Sequence, residues 1–331
     1  MQGKQETFAS FSSPQVAADA ASITGVIDFV SWYNDEPALK FAQPGVPIHQ
    51  RPDLPLSELV GTEVRVTISE DQYCTLCGDS TDSSPCPNCA GEPPHTTCVM
   101  HPATHCEYKA CPYPDYKQRS CSHTHLVYLA ATDRIKVGIS RESRARCRWA
   151  EQGASHAIPI ARAPNRKAAG IIEKAIGEEW PQRRRHEWYQ PIENSVDRLT
   201  DDALATEALV PQKLQSCYFW TDSDRQDVRD AVVNVPSIEA PSLDQRLTTN
   251  QYSLSAGESR EGRVLGIRGG ILATDSFVAN LKGHSSHILT IETDDPFFED
   301  TDLRVQQKEK EHSQEREQSP EYSPALKEGV A

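Results

Sequence analysis

Hydrophobic and polar positions alternate most cleanly in "TEVRVTIS" (62–69), which sets Val64, Val66 and Ile68 against charged and hydroxyl neighbours. A period of two predicts a half-buried strand. "HILTIET" (287–293) reads as a further short strand. "ITGVIDFVSWY" (23–33) reads as another strand, and "GRVLGIRGGILATDSFVANL" (262–281) as short strands joined by glycine turns. The flanking segments, 23–69 and about 250–292, are expected to pair with each other into a small sheet or barrel.

The middle of the chain carries a different rhythm. "HLVYLAA" (125–131) and "RIKVGIS" (134–140) read as strands, "RESRARCRWAEQ" (141–152) as a helix, "HAIPIARA" (156–163) as a strand and "NRKAAGIIEKAIGEEW" (165–180) as a helix. The predicted order is β-β-α-β-α. In the last helix Ala168, Ile171, Ile172, Ala175 and Ile176 form an apolar stripe, with Glu173 at its edge. Arg141, Arg144 and Arg148 are spaced three and four apart and are expected on one helix face. From 190 to about 250 the pattern is weak, apart from a helix over "DRQDVRDAVVNV" (224–235) that ends at Pro236. Six segments are therefore expected: a disordered 1–20, a β segment 21–73, a cysteine-rich region 74–124, a compact α+β unit 125–192, an α+β segment 193–293, and a disordered charged tail 294–331.

Cysteine spacing adds chemistry. Cys74-Thr-Leu-Cys77 and Cys86-Pro-Asn-Cys89 are two CxxC pairs eight residues apart. Each pair can place two thiolates on one tight turn, and two such turns complete a tetrahedral zinc site of the zinc-ribbon kind. Cys98, Cys106, Cys111 and Cys121 follow at irregular spacing and are candidates for a second structural zinc, with His101, His105 or His123 able to replace one of them. Cys147 and Cys217 stand alone and are expected to be packed residues.

Charge changes the picture next. The 331 residues carry a formal net charge of −14 with 34 Lys and Arg, Arg outnumbering Lys 22 to 12. An acidic, Lys-poor composition fits a halophilic source. Residues 125–189 run the other way, with 13 basic and 7 acidic residues. A basic island in an acidic chain is a footprint for phosphate, so DNA or RNA is the expected partner through 134–185. No apolar run is long enough for a membrane span and no secretory leader is evident, so a cytoplasmic protein is expected.

At Tyr128 in "VYL", Gly138 in "KVGIS", an arginine early in the following helix and Glu173 in the next, the chain resembles a divergent GIY-YIG nuclease domain. The wider arrangement, cysteine-rich half, "HLVYLA", "KVGIS", "RW", "QGA" and a Gly-rich "GIRGG" segment, is similar to a prokaryotic domain-of-unknown-function family across 23–292. The nuclease resemblance implies that Glu173 holds Mg²⁺ or Mn²⁺ and that Arg146 or Arg148 neutralises phosphate charge. It also implies that Tyr128 orients or deprotonates water and that Gly138 lets the backbone approach. Lys136 stands where the second signature tyrosine would be, and Gly177 where a histidine sometimes follows the glutamate. Three readings follow: metal-dependent phosphodiester hydrolysis, a non-catalytic nucleic-acid-binding module on the same frame, or an adaptor that binds protein through its zinc region.

Overall fold

The computed structural model describes residues 21–46, 50–179, 192–239 and 252–293. The expectations for 1–20 and 294–331, and the part of the basic 134–185 stretch beyond 179, lie outside the described residues. In chain order the strands are β1 (Ala21–Tyr33), β2 (Glu36–Phe41), β3 (Asp53–Pro55) and β4 (Glu63–Gln72). The short helices α1 (Thr97–Met100), α2 (Pro102–His105) and α3 (Pro114–Tyr116) follow, then β5 (His125–Ala131), β6 (Ile135–Arg141), α4 (Ala145–Glu151), β7 (His156–Ala163) and α5 (Arg166–Glu179). After these come α6 (Ser195–Ala205), α7 (Arg225–Asp230), β8 (Val233–Asn234), β9 (Ile238–Glu239) and β10 (Tyr252–Ser253). The last strands are β11 (Glu258–Arg268), β12 (Ile271–Thr274), β13 (Phe277–Asn280) and β14 (His287–Thr293).

The chain forms two compact units. Among the described residues the first takes 21–46, 50–95, 150–153, 236–239 and 252–293, and the second 96–149, 154–179 and 192–235. The cysteine block is therefore divided: the two CxxC pairs belong to the first unit and the other four cysteines to the second.

The first unit holds a ten-stranded sheet of order β10-β13-β12-β11-β4-β14-β1-β2-β3, with β9 against β11. The flanking segments do pair with each other, as the alternation implies: Ile23 lies opposite Ile291, Ile291 opposite Val66, and Val66 opposite Arg260. Val64, Val66, Ile68, Leu289 and Ile291 turn inward and are almost fully buried. The other face carries cross-strand polar pairs, including Arg263 Nε to Glu63 at 3.0 Å and Thr24 to Thr290 at 2.9 Å. Gly269, at a φ of +61° in the β11–β12 turn, meets Gly153 so closely that a Cβ would fall 2.6 Å from its backbone nitrogen.

The second unit holds a four-stranded sheet of order β6-β5-β7-β8. The β-β-α-β-α order expected for the middle of the chain is present. One core joins Val127, Leu129 and Ala131 of β5 and Ile158 and Ile160 of β7 with Ala169, Ile172 and Ile176 of α5 and Leu199 and Ala203 of α6. Three local expectations need correction. Arg141 is not on the arginine helix: it ends β6, paired with His125, and Glu142–Arg144 form a 3-10 turn before α4. The ladder hydrogen bonds outweigh helix propensity there, so Arg141, Arg144 and Arg148 do not share a helix face. The helix over 224–235 ends at Asp230, because Val233 and Asn234 pair with β7 instead; its start is as expected, with Asp224 Oδ1 accepting from the Gln226 and Asp227 amides at 2.8 and 2.9 Å. Finally, α6 arises in the stretch of weak pattern, its buried Leu199 and Ala203 forming too short a stripe to stand out among polar neighbours.

Candidate functional site

In the first unit β4 leads directly into the CxxC pairs. The Cys74 amide donates to the Asp79 carbonyl at 2.9 Å and the Gly78 amide returns to the Cys74 carbonyl at 2.8 Å, which folds 74–79 into a tight knuckle. The second knuckle is built the same way, with the Cys89 and Ala90 amides both donating to the Cys86 carbonyl at 2.9 Å. The sulfurs of Cys74, Cys77, Cys86 and Cys89 all lie within 4.8 Å of one another, and Cys77 and Cys86 are 3.7 Å apart. Tetrahedral zinc with sulfur at about 2.3 Å sets an S···S edge near 3.8 Å. The quartet fits such an ion.

Electrostatics support ligation. Burial disfavours the Cys74 thiolate, but the N–H groups of Cys86, Cys77 and Leu76 more than offset this and bring its pKa to about 7; the Cys86 amide lies 3.4 Å from the sulfur. Burial pushes the Cys77 thiol up, and Cys89 up to about 11. One thiolate is thus available near neutral pH, and a divalent cation would draw the other protons off.

In the second unit the resemblance residues fall into two contact sets. Tyr128 and Gly138 are direct partners in the β5–β6 ladder. Tyr128 is 1% exposed, and its ring meets that of Trp149 edge-on at 5.8 Å between centroids. Alternation along β5 turns Tyr128 away from the side that carries Val127 and Leu129, whose partners are Ala169, Ile172 and Ile176 of α5.

Glu173 belongs to the second set, on α5. It is half-buried, and burial raises its carboxyl from 4.5 to about 7 in spite of the opposing charges of Arg166 and Arg148. Arg148 is thus the α4 arginine whose charge reaches Glu173. Arg146, two residues earlier, is exposed. The helix α4 serves both sets, since Trp149 meets Tyr128 and the charge of its neighbour Arg148 acts on the Glu173 carboxyl. Lys136, in the place of the second signature tyrosine, pairs with the buried Asp133 at 3.0 Å.

Sequence reading passed over Arg166. Its guanidinium donates through Nε and Nη2 to the Val99 carbonyl at 3.2 and 2.9 Å, and its charge acts on Glu173, Cys121 and His125. The available signal was its place seven residues, two helical turns, before Glu173. His125 is fully buried, and its Nδ1–H donates to the His123 carbonyl at 2.7 Å. Burial holds its pKa at about 4.

Cys98, Cys106, Cys111 and Cys121 all belong to the second unit, but among the described residues no three of their sulfurs close to the spacing of the CxxC quartet. No helix among the described residues is long and apolar enough to cross a membrane.

A family model described as a protein of unknown function (DUF2797) matches residues 61–289. Neither the curated proteins nor the solved structures compared with the chain gave a match.

Proposed function

The chain belongs to the DUF2797 family of proteins of unknown function, and from that premise we propose a metal-stapled nucleic-acid-binding protein. The β5-to-α5 run is read as a divergent GIY-YIG-like frame that holds phosphate without cutting it. The observation that carries this reading is the burial of Tyr128. A group that orients or deprotonates water must come within hydrogen-bond reach of it, and this hydroxyl is packed against Gly138. The missing second tyrosine points the same way, since Lys136 in its place spends its charge on Asp133. Besides Lys136, the stretch 134–148 carries five arginines and one acidic residue, a density suited to a phosphate backbone. The CxxC quartet, holding zinc, would be structural, because four thiolates leave no open position for water.

Hydrolysis remains a second reading on one observation. Glu173 is a half-buried carboxyl beside Arg148 and Arg166. With Mg²⁺ or Mn²⁺ bound there, the cation would supply charge stabilisation for a phosphate. Glu173 would hold the cation, Arg148 would face the phosphate, and Tyr128 would act only by positioning α4 through Trp149.

One experiment separates the readings. Labelled single-stranded, duplex and branched DNA and RNA are titrated with the full chain over a salt series, and cleavage is followed with Mg²⁺ or Mn²⁺. The binding reading expects affinity that falls with log salt, weakens in R144A/R146A, and persists in E173A without cutting. Cutting abolished by E173A would establish hydrolysis instead. An absence of binding even at low salt would leave the adaptor reading.

A further inference from the structure

We infer that the CxxC quartet, once it holds its metal ion, is an oxidant-sensitive staple: a peroxide reacts first at Cys77, and closure onto Cys86 releases the ion. Such a switch rests on the metal-staple reading of the quartet and is independent of how nucleic acid is handled.

The four sulfurs share one cluster, but their residues do not meet solvent equally. Cys74 and Cys86 are buried, at 0% and 5% exposure, whereas Cys77 is exposed. The bonds that fold the first knuckle explain the difference. The Cys74 amide is taken by the Asp79 carbonyl and its carbonyl by the Gly78 amide. Gly78 turns the chain at a φ of +83°, which leaves Cys77 at the tip. A dissolved oxidant therefore meets Cys77 before either buried cysteine.

Charge favours the same residue. The Cys74 sulfur accepts from the Cys86 amide at 3.4 Å, which draws off part of a thiolate's charge. The Cys77 sulfur instead lies 3.5 Å from the Asp79 carboxylate. While Cys77 keeps its proton, its S–H donates to that carboxylate; as a metal-bound thiolate it is repelled. A thiolate left electron-rich in this way is the stronger nucleophile.

The partner sulfur is already in place. Cys77 and Cys86 sulfurs are 3.7 Å apart, so a disulfide of about 2.05 Å needs them to close by about 1.7 Å. The Cys77 thiolate attacks one peroxide oxygen, the O–O bond breaks, and hydroxide leaves a sulfenic acid behind. The Cys86 thiolate then attacks that sulfur, the S–O bond breaks, and a second hydroxide leaves. Two thiolates have lost two electrons to one peroxide, and the two hydroxides take protons from the buffer to become water. Cys74 and Cys89 alone remain as ligands, where a structural zinc site has four. A thiol reductant that opens the disulfide restores the quartet.

The test uses the full chain, purified anaerobically without chelator, with its zinc first counted by native mass spectrometry. Hydrogen peroxide is added in small steps, released zinc is read with a chromophoric chelator, and disulfides are mapped by peptide mass after free thiols are blocked. Zinc loss should follow peroxide consumed, the first disulfide should be Cys77–Cys86, and dithiothreitol with added zinc should reverse both. D79N keeps all four ligands and removes the repelling carboxylate, so it should release zinc several-fold more slowly. A first disulfide that omits Cys77, or equal rates in the wild type and D79N, overturns the inference. A chain without zinc before any peroxide is added refutes the metal staple itself, and the switch with it, which keeps the two failures apart.

Discussion

Gly138 lies directly opposite Tyr128 in the β5–β6 ladder, and a Cβ at Gly138 would sit 2.8 Å from the Tyr128 hydroxyl oxygen and 2.9 Å from its Cζ. The glycine is therefore the floor on which a buried tyrosine rests, with Trp149 at the ring's edge. Gly138→Ala should destabilise the second unit by about 1–3 kcal/mol, the range for overpacking a filled core. In a Tyr128→Leu background the same change should cost much less, because the colliding atoms are gone. Urea unfolding of the double-mutant cycle reads the coupling; equal costs in both backgrounds would refute the contact.

Gly170→Ala makes a contrary case to helix propensity. Alanine inside an exposed helix gains about 1 kcal/mol over glycine. Here the added methyl would meet Pro102 Cγ at 2.5 Å, so the variant should be less stable than the wild type. Pro102→Ala combined with it should recover part of the loss. A G170A protein that melts above the wild type would show that α2 moves freely off α5.

Metal removal should act on the first unit through its CxxC quartet. Four thiols within 4.8 Å have little apolar packing to replace an ion. Chelation or Cys74→Ser should cost several kcal/mol, since structural zinc supplies folding free energy directly. Calorimetry with and without chelator checks this. An unchanged melting profile at confirmed zero metal would contradict a structural role.

The pH dependence of stability has two opposing contributions in the second unit. Glu173 has its carboxyl raised from 4.5 to about 7. Its contribution is complete below about pH 4.5 and is lost as pH rises through 7. His125 has its ring lowered from 6.5 to about 4. Its contribution is complete above pH 6.5 and is lost as pH falls toward 4. Glu173→Gln should remove the first and leave the second, so the variant gains stability relative to the wild type above pH 7. Urea midpoints from pH 4 to 8.5 test this; parallel curves for variant and wild type would rule out a perturbed Glu173.

Magnesium gives Glu173 a separate readout. Under the hydrolytic reading a cation held by the carboxylate would stabilise its ionised form, so millimolar Mg²⁺ should raise the wild-type melting temperature at pH 8 and leave E173Q unmoved, whereas the binding reading expects no rise in either protein. The same rise in both proteins would place the cation elsewhere.

Local pattern carried much of this protein. Alternation in 62–69 marked β4, the short apolar run of 287–293 marked β14, the apolar stripe of 165–180 marked α5, and two CxxC pairs marked a cysteine quartet that could hold a metal ion. These features are written in short windows, where side-chain period and ligand spacing are set by backbone geometry. Even the pairing of the two flanking β segments followed, since each has one apolar face to cover. Other features depended on distant partners. Arg141 became a strand residue because His125 and the ladder claimed it, and Val233 left its helix to pair with β7. Tyr128 was a candidate for contact with solvent until Gly138 and Trp149 enclosed it. Arg166 gained its central place only when Val99 and Glu173 came beside it. Periodicity tells a residue which way to face; what it then meets, and whether water still reaches it, is decided by segments that the tertiary fold brings in from elsewhere.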